Sequence, residues 1–66
     1  MKVEDNNIGD LVRIWGWGEM LVVTNIYSRP SESEQYWIFD AYGLDSRQMN
    51  ELYFEQEEIT IVSRAA

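Results

Sequence analysis

The chain has no cysteine and no histidine among its 66 residues. Without cysteine, no disulfide or thiolate metal site can staple the fold, and no thiol nucleophile is present. Without histidine, the commonest general base is missing as well. Basic residues are also scarce. Five Lys and Arg face twelve Asp and Glu, for a formal net charge of −7. Lys2, Arg13, Arg29, Arg47 and Arg64 are dispersed along the chain and form no basic stripe. A phosphate backbone rewards such a stripe, so nucleic acid is not expected as a direct ligand. The same charge would be repelled by an anionic membrane surface. No apolar run approaches the ~20 residues that span a bilayer. The opening residues, MKVEDNNIG, lack the basic-then-apolar layout of a signal peptide, and a cytoplasmic protein is expected.

The remaining chemistry is thin. Glu55, Glu57 and Glu58 cluster, but nothing apolar surrounds them to raise a pKa, so they read as a solvated acidic turn. Asp40 and Asp45 flank a turn without the dense oxygen spacing of a calcium loop. Gly16-Trp17-Gly18 is too short and too aromatic for a phosphate loop. The expectation is a non-enzyme with no cofactor, no metal and no small-molecule substrate.

A chain of this length makes one small domain that must use its core fully. Residues 9–27, GDLVRIWGWGEMLVVTNIY, read as two strands joined by a tight glycine turn. Val12 and Ile14 are placed inward, because Arg13 on the other face is costly to bury unpaired. Trp15 then falls on the outer face. In residues 20–27 strict alternation puts Met20, Val22, Thr24 and Ile26 on one face. Leu21, Val23, Asn25 and Tyr27 take the other, and both faces are largely apolar. Residues 28–35 hold the only proline and read as an exposed loop. Residues 36–42, YWIFDAY, form a third strand with Trp37 and Phe39 inward, because Asp40 prefers water. Residues 45–58 allow two readings. A helix would have Asp45 at its N-cap and Gln48 three residues on. A strand would place Leu52 and Phe54 inward, with a helical turn at 55–58, and the strand is preferred. Residues 59–62 form the last strand, and residues 1–8 a polar N-terminal arm.

Gly9-Asp10-Leu11-Val12-Arg13 resembles the opening of small SH3-like β-barrels, including the KOW and Tudor-type families. Residues 54–62, FEQEEITIV, resemble their ending, an aromatic, an acidic turn and a short strand. The resemblance covers most of residues 9–64. It implies an all-β, five-stranded SH3-like barrel with one short helical turn before the last strand. Small bacterial and phage proteins of this kind are common. The acidic balance departs from KOW and Tudor modules.

Such a barrel is too small to hide nine aromatic rings. Exposed Trp and Tyr give interface area at small entropic cost, and otherwise shield a barrel's ends and edges. Trp15, Trp17, Tyr27, Tyr42 and Tyr53 are the candidate partner-binding residues. The expected function is a protein–protein interaction or assembly module that binds another protein or itself, in the setting of a phage accessory or virion component. The alternative is an acidic DNA mimic that occupies a basic nucleic-acid-binding protein. Steep salt dependence would mark the mimic, since exposed charge pairs are screened.

Overall fold

The computed structural model describes residues 6–65, so residues 1–5 of the expected arm lie outside the described residues. It is all-β. Five strands, β1 (Leu11–Ile14), β2 (Met20–Ser28), β3 (Tyr36–Gly43), β4 (Met49–Glu55) and β5 (Ile59–Ser63), form one antiparallel sheet. A single 3-10 turn, Gln56–Glu58, precedes β5. The preferred strand reading of residues 45–58 holds: β4 and the 3-10 turn occupy residues 49–58, and no α-helix forms there. The sheet order is β4-β3-β2-β1-β5, so the last strand returns to lie beside the first.

Turn chemistry sets the strand ends. The Asp10 N–H donates to the Asn7 carbonyl at 3.0 Å, and Gly9 takes φ +94° inside that turn. The Trp17 N–H donates to the Ile14 carbonyl at 2.9 Å, and Gly16 takes φ +82°. That is the φ a type II turn requires at its third residue, where glycine carries no steric cost. After β3, the Gly43 N–H donates to the Gln48 carbonyl, and Arg47 sits in the left-handed region at φ 58°.

The core collects inward residues from every strand: Val12 and Ile14, Leu21 and Val23, Trp37, Phe39 and Ala41, Leu52, and Ile59. Phe54 is half-buried against the same cluster. Among the described residues there is one sheet and no second layer, and the inward residues of all five strands share this one cluster. The expected inward placements of Val12, Ile14, Trp37, Phe39, Leu52 and Phe54 agree with this core. Burial of Trp37 and Phe39 alone contributes on the order of 10 kcal/mol at ~25 cal/mol per Å².

The strict alternation expected along β2 is corrected. The register against β3 shifts between Val23 and Asn25. Two β2 residues then oppose one on β3, the pattern of a β-bulge, which bends the strand. Leu21 and Val23 are buried before the shift. After it the phase reverses: Ile26 packs on the core, while Asn25 and Tyr27 are exposed. The bulge is what lets one strand with two apolar faces serve a single core.

Asp10 is the buried polar centre of the fold, at 1% exposure. Its Oδ2 accepts from the Asn7 N–H at 2.9 Å, and its Oδ1 accepts from the Ala65 N–H at 2.9 Å. Arg64 approaches Oδ2 at 3.6 Å. One carboxylate thus ties the turn before β1 to the segment after β5. This is the structural work of the Gly9-Asp10 pair. Asn6 is also fully buried, and its carbonyl accepts from Arg29 Nη1 at 3.1 Å.

Candidate functional site

Alternation along β3 and β4 sorts their side chains cleanly. With Trp37, Phe39 and Ala41 inward, Ile38, Asp40 and Tyr42 face outward. With Leu52 inward, Met49, Glu51 and Tyr53 face outward. The register places them in cross-strand pairs: Tyr42 opposite Met49, Asp40 opposite Glu51, and Ile38 opposite Tyr53. Directly opposite residues on one face are the closest neighbours a sheet makes. The outer face of β3 and β4 is therefore two tyrosine–aliphatic pairs with a pair of carboxylates between them.

The β2 bulge adds its residues to the same face. The Tyr27 hydroxyl donates to Asp40 Oδ2 at 2.6 Å. The Thr24 hydroxyl reaches the Asp40 carbonyl at 3.2 Å and Met49 Sδ at 3.3 Å. The bond to Asp40 pushes the Tyr27 phenol above its ordinary value of 10.0. The charges of Asp40 and Glu51 push the same way, and a hydrogen bond with Asn25 opposes them. Tyr27 and Tyr53 are each 57% exposed, and Tyr42 is half-buried.

Of the five expected contact residues, three come together on this face: Tyr27, Tyr42 and Tyr53. The two tryptophans lie elsewhere, in the β1–β2 turn. Trp15 is 77% exposed, and its N–H donates to the Glu58 carbonyl at 2.9 Å. Trp17 is half-buried and packs against the core. Its ring meets Phe54 edge-on, with centroids 6.3 Å apart and planes at 87°. Asp40, Glu51 and Met49 belong to the face as well. The sequence signal for them was the outward phase they share with Tyr42 and Tyr53.

A second feature joins the β1–β2 and β3–β4 turns. Glu19 Oε1 accepts from the Asp45 and Ser46 N–H groups, both at 2.8 Å. The Ser46 N–H is the main cause holding this carboxyl below its ordinary value of 4.5. Gly18, Glu19, Asp45 and Ser46 line a shallow, open depression there. The Glu19 carboxylate is engaged by the Asp45 and Ser46 N–H groups, so the depression reads as a structural clamp. Among the described residues no group of three carboxylates gathers to hold a metal ion. No helix among them is long and apolar enough to cross a membrane. No protein-family model, curated protein or solved structure matches the chain.

Proposed function

We propose that the chain is a small SH3-like barrel that works by binding another protein, as an interaction or assembly module and not as an enzyme. The observation that carries this reading is the outer face of β2, β3 and β4, where Tyr27, Tyr42 and Tyr53 share an exposed surface. Flat, amphipathic tyrosine rings are enriched where proteins meet, and they lose little entropy on being covered. For the barrel, the supporting features are the return of β5 beside β1 and the 3-10 turn that precedes it. Its setting is the cytoplasm, or a virion if the chain is phage-encoded, by resemblance to small barrels of that origin.

The test is the double variant Tyr27→Ser with Tyr53→Ser. Both side chains are exposed, so the melting temperature should stay near that of the wild type. Retention of partners on the immobilised protein should be lost. Unchanged association by a folded double variant would sink this reading.

A further inference from the structure

We infer that the outer face of β2–β4 docks a cationic segment of a protein partner, seating an arginine or lysine between Asp40 and Glu51. The inference rests on the interaction-module reading and names the chemistry of the partner. Asp40 and Glu51 stand directly opposite each other on β3 and β4. Like charges at such positions repel, because their Cβ atoms are only about 5 Å apart. Nothing in the three strands relieves them, since β2, β3 and β4 contain no Arg or Lys. Asp40 receives the Tyr27 hydroxyl, whereas the Glu51 side chain makes no hydrogen bond or ion pair among the described residues. Arg13, the basic residue in the neighbouring strand β1, pairs with Met20.

The flanks suit the stem and the head of a long cationic side chain. Ile38 and Tyr53 bound the carboxylates on one side, and Tyr42 and Met49 on the other. Arginine and lysine lay their methylenes on such apolar surface while the charge reaches polar groups, and guanidinium stacks on tyrosine faces. A second copy of the chain fits poorly. Each copy carries −7, and a two-fold contact through this face would set carboxylates against carboxylates. A cation removes the repulsion within the pair and matches the charge of the whole face.

The experiment uses the intact chain and a short synthetic peptide that alternates arginine with leucine. A second peptide carries glutamate in place of arginine. Backbone amide shifts of isotope-labelled protein are followed during titration at moderate salt. The basic peptide should shift amides around Asp40, Glu51 and Tyr53, and the acidic peptide should not. Glu51→Gln should weaken binding about tenfold without lowering the melting temperature, since a side chain with no partner is altered. Glu57→Gln, in the 3-10 turn, should leave affinity unchanged and so excludes a general attraction to acid. Equal weakening by both variants overturns the inference. Binding of the acidic peptide at the same amides also overturns it, yet leaves the interaction reading standing. Concentration-dependent shifts of this face without peptide would replace the cationic partner by a second copy. No shift on this face with either peptide overturns the inference, and the double tyrosine variant then decides the interaction reading separately.

Discussion

The indole N–H of Trp37 donates to Oε1 of Gln56 at 2.7 Å. Trp37 is the largest fully buried side chain, and this bond joins the core to the 3-10 turn. The Arg29 guanidinium lies 5.2 Å from the same ring and closes it from another side. A buried indole needs a partner for its N–H, because losing one costs the full desolvation of the donor. Gln56→Leu should therefore destabilise the chain by about 1–3 kcal/mol in denaturant unfolding. A change within experimental error would show that water replaces Gln56.

Gly9 and Gly18 should respond differently to alanine. Gly9 holds φ +94°, and an added Cβ would lie 2.9 Å from the Ala65 Cβ. Gly18 has open space around it and no positive φ. Gly9→Ala should cost about 1–2 kcal/mol or more, while Gly18→Ala should be close to neutral. Thermal melts of the two variants, side by side, check the contrast.

The tryptophans of the β1–β2 turn should also separate. Trp17 packs on Phe54 and the core, so Trp17→Ala should cost about 2 kcal/mol and should not itself weaken association. Trp15 is largely solvent-exposed, and Trp15→Ala should stay within about 0.5 kcal/mol. A normal melting temperature for Trp17→Ala with loss of association would move the contact surface to the turn.

Glu19 gives the fold a defined acid sensitivity. Its carboxyl titrates below its ordinary value of 4.5, chiefly because the Ser46 N–H bonds the ionised form. The unfolded chain therefore takes up this proton at a higher pH than the folded one. The stabilisation is complete above about pH 4.5 and is lost as pH falls through the lower folded value. Glu19→Gln should flatten the fall of melting temperature in that acid range. An unaltered pH profile would mean that the clamp between the two turns contributes nothing.

Nucleic acid should not bind directly. Arg29 is drawn over Trp37 and Arg64 lies at Asp10, so few of the scattered basic groups are free to face phosphates. Anisotropy titrations with DNA and RNA at low salt should stay weaker than the ~10⁻⁴–10⁻⁶ M of ordinary non-specific binders. Micromolar binding that weakens with salt would contradict this.

The sequence by itself determined the strands and most of the core, because alternation is a local property of the extended chain. Val12 and Ile14 beside Arg13, and Trp37 and Phe39 beside Asp40, each name an inward face without reference to any other strand. The turn at Gly16 was legible for the same reason, since its positive φ is decided within a few residues. Residues 20–27 were not legible in this way. Both faces of β2 are apolar, and the bulge that selects Leu21, Val23 and Ile26 exists only against β3. Only the return of β5 brings the Ala65 N–H to the second oxygen of Asp10. Trp17 was a candidate partner-binding residue, and its contact with Phe54 depends on how β4 meets the β1–β2 turn. The candidate face has the same origin. Tyr27, Asp40 and Glu51 are far apart in sequence, and the pairing of three strands is what makes them neighbours. Local pattern sets which way each side chain points; register and bulges, set by non-local pairing, decide what it meets.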